Sequence, residues 1–225
     1  MEKSINKFKQ VVESISKCLQ TNIKTKYTNL LVVSKTRSIE QILNLYNQGQ
    51  RDFGENYLNE IIEKSQKLPA DINWYMIGHL QTNKVKKLLT VPNLFAIESV
   101  DSLKLAKELN DQCQKIDRKI LNIYLQINIS WEDTKSGIKP DGVISLYDDI
   151  KKECDRLRIR GIMSLGEIGN TKQFEEMYDI KLKICNEYNL NQDEFVLSLG
   201  TSDDYEKAIV YGSNEVRIGG LLFDF

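Results

Sequence analysis

Leu30-Leu-Val-Val33-Ser-Lys35-Thr-Arg-Ser-Ile39-Glu-Gln-Ile-Leu-Asn-Leu-Tyr46-Asn-Gln-Gly49-Gln-Arg51-Asp-Phe53 is the stretch on which the fold turns. It opens with an unbroken apolar run, as a strand covered on both faces requires. A helical pattern follows over 39–46 and stops at Gly49, and a second short strand follows at 51–53. Strand, helix, strand at this spacing implies a parallel pair joined by a crossover. The rhythm continues outward. Further strand-like runs fall at 74–77, 94–97, 120–129, 159–163, 195–197 and 216–218. Helical patterns follow at 57–67, 81–89, 101–115, 141–157, 172–188 and 203–211. Ahead of the first strand, Ile5, Phe8, Val11, Val12, Ile15 and Leu19 mark one face of a helix over 2–20. Eight βα units predict an α/β fold, a closed (β/α)8 TIM barrel with an extra N-terminal helix, as a single domain over 1–225. An open doubly wound sheet is the alternative. It would more often carry GxGxxG after the first strand, and none is present here.

Composition narrows the function. With 31 Lys plus Arg against 32 Asp plus Glu, the net charge is -1, which argues against a basic nucleic-acid footprint. No apolar run approaches the roughly 20 residues of a membrane span. No apolar h-region follows Met1, so a cytoplasmic protein is expected. Cys18, Cys113, Cys154 and Cys185 sit in helical stretches without CxxC spacing, so neither a disulfide frame nor a zinc site is predicted.

In a barrel of this kind, chemistry sits at the C-terminal strand ends. Lys35 follows strand one, where partial burial would favour the neutral amine that attacks a carbonyl to form a Schiff base. The plainer reading is a lysine leaving the barrel for water. Strand two ends at Gly54-Glu-Asn56, where Asn56 offers hydrogen bonds or caps a helix. His79, the single histidine, ends strand three and could stack on a flat ring or serve locally. After strand five, Trp131, Glu132 and Lys135 border a pocket mouth or belong to a solvated loop, with Lys135 a second candidate amine.

Strand seven ends in Ser198-Leu-Gly200-Thr201-Ser202-Asp-Asp204, and strand eight in Arg217-Ile-Gly219-Gly220. Glycines and a helix start at these two loops suit a phosphate, although Thr201 and Asp204 also fit a capping box. Alternation along strand eight points Arg217 into the barrel, where it needs a partner such as a ligand ring or a carboxylate. Closure brings strand eight beside strand one. Lys35 then lies about one small ring from the phosphate cradle, which points to pyridoxal 5′-phosphate (PLP). A phosphosugar barrel using Lys35 as an aldolase-type amine is a rival.

Val32-Val-Ser-Lys35-Thr, Phe53-Gly-Glu-Asn-Tyr57, Ile77-Gly-His-Leu-Gln81-Thr-Asn-Lys84, Leu125-Gln-Ile-Asn-Ile129, Lys135-Ser-Gly137, Leu197-Ser-Leu-Gly200-Thr-Ser-Asp-Asp204 and Val216-Arg-Ile-Gly219 run in order over most of the chain. Together they resemble the YggS/PROSC family of pyridoxal phosphate homeostasis proteins. The resemblance implies a barrel similar to the N-terminal domain of alanine racemase, of fold-type III. It also implies a Lys35 Schiff base and a phosphate held by the loop 198–202 with Gly219 and Gly220. Arg217 would lie beside the pyridine nitrogen, with Asn56 and His79 lining the pocket. The chain departs from the family pattern in having few methionines around Gly200, Gly220 where Thr is common, and an unusual strand-six end at 162–169.

A cation beside the pyridine nitrogen disfavours its protonation and weakens the ring as an electron sink. The chain ends at Phe225, so the C-terminal β domain that supplies a second base in alanine racemases is not expected. A non-catalytic PLP carrier or regulator of PLP supply follows, with apo PLP-dependent enzymes as partners and a monomer or weak homodimer as the assembly. A PLP-dependent racemase-like enzyme is the alternative.

Overall fold

The computed structural model describes residues 2–130 and 136–223. Trp131, Glu132 and Lys135 lie outside the described residues. The chain runs α1 (Glu2–Gln20), β1 (Asn29–Val33), α2 (Ile39–Tyr46), β2 (Asp52–Glu55), α3 (Leu58–Lys67) and β3 (Asn73–Met76). After a 3-10 turn at Thr82–Lys84 come α4 (Val85–Leu88), β4 (Leu94–Val100), α5 (Leu103–Lys115) and β5 (Leu121–Gln126). A second 3-10 turn, Pro140–Gly142, leads to α6 (Val143–Glu153), β6 (Leu157–Met163) and α7 (Thr171–Glu187). Last come β7 (Val196–Ser198), α8 (Tyr205–Val210), β8 (Glu215–Ile218) and α9 (Gly220–Phe223).

All eight strands pair in parallel in sequence order, and β8 closes on β1 with Leu31 opposite Arg217 and Val32 opposite Ile218. The open-sheet alternative is thereby removed. Two apolar cores result. Outward residues such as Val32, Val216 and Ile218 join the large layer between strands and helices, while Leu31, Tyr75, Ala96, Tyr124, Met163 and Val196 fill the barrel's interior. Period-two alternation therefore sends Glu215 and Arg217 inward, as it does Ala96 and Glu98 on β4.

Several boundaries moved for identifiable reasons. β2 runs through Glu55, because Gly54 and Glu55 still pair with Tyr75 and Met76. β5 stops at Gln126; Ile127 N–H still donates to Met163 O at 2.8 Å, while its other neighbour is an isolated bridge to Ile138. The helix expected over 81–89 is a 3-10 turn and one α turn, since Thr82 and Asn83 are poor helix formers. Ser38 starts α2 with a capping box, its hydroxyl accepting from Gln41 N–H and the Gln41 side chain accepting from Ser38 N–H.

The first helix lies across the last elements. Phe8, Val11 and Ile15 are buried against α8 and α9, and Ser4 Oγ donates to Leu222 O at 2.7 Å. The four cysteines are free thiols. No helix among the described residues is long and apolar enough to cross a membrane, and no described group of acids, histidines or cysteines could hold a metal ion.

Candidate functional site

A cavity of about 550 Å³ opens where the C-terminal ends of β1 and β8 meet. This volume lies within the roughly 300–1,000 Å³ of small-molecule sites. Of the residues singled out in the sequence, Lys35, Asn56, Thr201, Ser202, Arg217, Gly219 and Gly220 line it together. Val33, Ile77, Leu165 and Leu221 supply apolar walls. His79 lines an adjoining cavity of about 380 Å³ with Gly78, Gln126 and Asn128, and the two cavities share Asn56, Ile77 and Leu165. Gly78 makes this neighbourhood: a Cβ there would meet the Asn56 carbonyl oxygen at 2.2 Å.

Lys35 corrects one expectation. Its side chain is exposed, whereas Ser34 before it is fully buried. The covered part of the strand ends at Ser34, and Lys35 begins a turn whose next residue, Thr36, has φ +62°. That turn is held from below. Lys64 of α3 is buried and donates to Ser34 O at 2.8 Å, Glu55 Oε1 at 2.7 Å and Glu60 Oε2 at 2.7 Å. Glu60 Oε2 also accepts from Thr36 N–H at 2.8 Å, and Ser34 Oγ donates to Glu55 Oε1 at 2.7 Å. Burial pushes the Glu55 carboxyl up, against the pull of Lys64 and Ser34. Glu60 is nearer water. Its smaller burial penalty is outweighed by Lys64 and the Thr36 N–H, which hold it below the usual carboxylate range. The sequence reading gave none of Ser34, Lys64 and Glu60 a role. The available signal was a lysine one turn after Ile61, on the buried face of α3.

Arg217 is buried and faces the cavity, as alternation predicted. Its partners are neutral, neither ring nor carboxylate: Nη1 donates to Ser198 O at 2.8 Å and Ser198 Oγ at 2.7 Å, and Nη2 to Ser164 O at 2.7 Å. Burial lowers its affinity for the proton, and Glu98 and Glu215 nearby raise it. Ser198 is therefore a support beneath Arg217, fully buried and off the cavity wall.

Gly200 is also off the wall. It turns the chain with φ +91°, and a Cβ there would meet Ala208 Cβ at 2.7 Å. After it, the expected cap is reversed. Asp204 accepts from Thr201 N–H at 2.7 Å, from Thr201 Oγ1 at 3.1 Å and from Gly169 N–H at 2.9 Å, and α8 begins only at Tyr205. Thr201 N–H is thus already taken. The N–H groups of Ser202, Asp203 and Gly220 meet no acceptor among the described residues. Ser202 Oγ accepts from Leu221 N–H at 3.2 Å, which joins the β7 and β8 loops into one cradle. Gly219 sits in a tight space, since a Cβ there would lie 3.0 Å from Val33 O. The strand-six end contributes too: Ser164 holds Arg217, and Leu165 walls the cavity.

The parts fit a flat aldehyde bearing a phosphate. A primary amine, a fixed guanidinium, apolar walls, and free N–H groups with hydroxyls converge on one small cavity. The comparisons with known proteins agree. The family described as alanine racemase, N-terminal domain, matches residues 7–224. A pyridoxal phosphate homeostasis protein from Homo sapiens is 37% identical over 206 residues, covering 86% of this chain and 75% of that protein. One from Helicobacter pylori (strain ATCC 700392 / 26695) is 34% identical over 219 residues and covers 96% of each. The structure of PipY from Synechococcus elongatus PCC7942 with PLP bound superposes with TM-score 0.77 at 27% identity, covering 94% of this chain and 98% of that one. This barrel, with Lys35 and Arg217 facing one cavity, belongs to the pyridoxal phosphate homeostasis protein family, within the alanine racemase N-terminal domain fold.

Proposed function

We propose that the chain binds pyridoxal 5′-phosphate between β1 and β8 and serves as a carrier or regulator of its supply. The observation that carries this reading is the convergence of Lys35, Arg217 and the Ser202–Gly220 cradle on one cavity. Lys35 would hold the aldehyde as a Schiff base, and the N–H groups of Ser202, Asp203 and Gly220 with the Ser202 hydroxyl would take the phosphate. When bound, PLP supplies an electron-withdrawing ring. Arg217 would set how much of that capacity is available. Held as a cation by Ser198 and Ser164, it would oppose protonation of a pyridine nitrogen placed beside it. Asn56 and Ile77 would confine the ring laterally. These features support binding without turnover.

Purified protein mixed with PLP should show a yellow chromophore. Borohydride should fix it to the peptide containing Lys35, and Lys35→Ala should abolish it. Labelling of another lysine would reassign the attachment. Sustained racemisation of a single amino acid at a catalytic rate would replace the carrier reading with the enzyme.

A further inference from the structure

Two carboxyls inside the barrel have no role in the reading above. Glu98 of β4 is 0% exposed and Glu215 of β8 is 1% exposed. β4 and β8 lie across the barrel from each other, so these side chains meet only at its centre. Glu98 Oε2 accepts from Ser198 Oγ at 3.0 Å. Glu215 Oε2 accepts from Asn29 Nδ2 at 3.2 Å and from Tyr124 OH at 3.4 Å. One oxygen on each acid remains, Glu98 Oε1 and Glu215 Oε1, and neither has a donor among the described residues. The two carboxyls meet at Ser198, which pairs with Glu215 between β7 and β8 and whose hydroxyl donates to Glu98. Ionised carboxylates only accept, so two of them cannot bond. A single proton between the two bare oxygens satisfies both.

Charge balance gives the same count. With one proton the pair carries a single negative charge, matching the buried Arg217 cation. With none, two negative charges share a dry interior, and with two, the guanidinium has no counter-charge. Asp204 also acts on Arg217, but its two oxygens are occupied by the N–H groups of Thr201 and Gly169. Tyr75 and Tyr124 stay neutral because burial pushes their phenols up. Arg160 and Asp52, which also act on these tyrosines, lie nearer the N-terminal end of the barrel, where Asn73 Nδ2 donates to Asp52 Oδ1 at 2.8 Å.

We propose that Glu98 and Glu215 share one proton at the centre of the barrel and that the pair, acting through Ser198, positions Arg217 toward the cavity. Glu215 receives two donors and Glu98 one, so the proton rests on Glu98. Burial, and then repulsion from Glu215, also push the Glu98 carboxyl well above the usual range. Ser198 transmits the arrangement, since its hydroxyl donates to Glu98 and accepts from Arg217. Only the use made of Arg217 rests on the cofactor reading. The shared proton is a property of the protein alone, so the two can fail separately.

Infrared spectroscopy of the protein without added PLP tests the proton. A protonated-carboxyl carbonyl band should be present at neutral pH, shift in heavy water and disappear in Glu98→Gln. Absence of that band in the unmutated protein, or its persistence in both Glu98→Gln and Glu215→Gln, overturns the proposal. The positioning role is read with PLP. Glu98→Leu, which strands the Ser198 hydroxyl, should weaken PLP binding about tenfold, the scale of one charged hydrogen bond. Glu98→Gln should recover most of that loss, because its amide can donate to Glu215 and accept from Ser198. Equal binding by the Leu variant and the unmutated protein would overturn the positioning role. If the Leu variant does not fold, failure of the Gln variant to bind PLP would overturn it.

Discussion

On the helix side of β2, Lys64 stands between Glu55 and Glu60 and spends its whole charge locally. Inside the barrel, Arg217 is held by three neutral oxygen contacts, and Glu98 sits one hydroxyl away. Both cations are buried, but they do different work. A cation neutralised by direct contact is a fastener, and here it fixes the turn that carries Lys35. A cation anchored by dipoles, with its counter-charge held off by one hydroxyl, keeps part of its field for whatever enters the cavity.

The sharpest way to break this contrast is Lys64→Met. It leaves Glu55 buried beside Glu60 without a cation and should cost about 3–5 kcal/mol in urea unfolding. A loss under about 1 kcal/mol would mean that water replaces the lysine. Arg217→Gln should cost less, about 1–3 kcal/mol. Its partners are neutral, and the acid pair can take up a second proton. The same variant should lose most PLP affinity, measured by absorbance titration.

The two clusters should also respond to pH with opposite signs. Glu60 has a lowered folded pKa, so its contribution is present above the ordinary glutamate value and is lost as pH falls through the folded one. Glu60→Gln should therefore lower the urea midpoint at pH 7 and leave it unchanged near the acid limit. Glu98 has a raised folded pKa, so its stability is fully present below the unfolded value of about 4.3 and erodes as pH rises. Glu98→Gln should equal the unmutated protein at low pH and gain on it toward neutrality. Parallel curves would remove the distinction. The smallest effect belongs to Lys67→Ala, which breaks an exposed i,i+4 pair with Glu63 and should leave the midpoint unmoved.

Much of this could be read from the chain because a parallel barrel writes its strands as apolar runs. Leu30–Val33 and the βα rhythm suffice for that. Lys35, Arg217 and the Gly219-Gly220 end were legible because strand ends carry the site. What stayed hidden depends on contacts far apart in sequence. Ile127 and Ile129 look like strand, yet β5 stops at Gln126 and Ile127 makes an isolated bridge to Ile138. Lys64 looks like any solvated helix lysine until Ser34 and Glu55 come within 2.8 Å. Asp204 and Thr201 have capping-box spacing either way round, and the direction emerges only when Gly200 turns the chain. Glu98 and Glu215 face each other only after β8 closes on β1.

The docking of α1 on α8 and α9 has a consequence for biosynthesis. Ser4 waits for Leu222, 218 residues later, so the apolar stripe of Phe8, Val11 and Ile15 leaves the ribosome long before its seat exists. During translation that stripe is bare, and nascent-chain chaperones would find it throughout elongation. Emergence of α8 and α9 is what retires it.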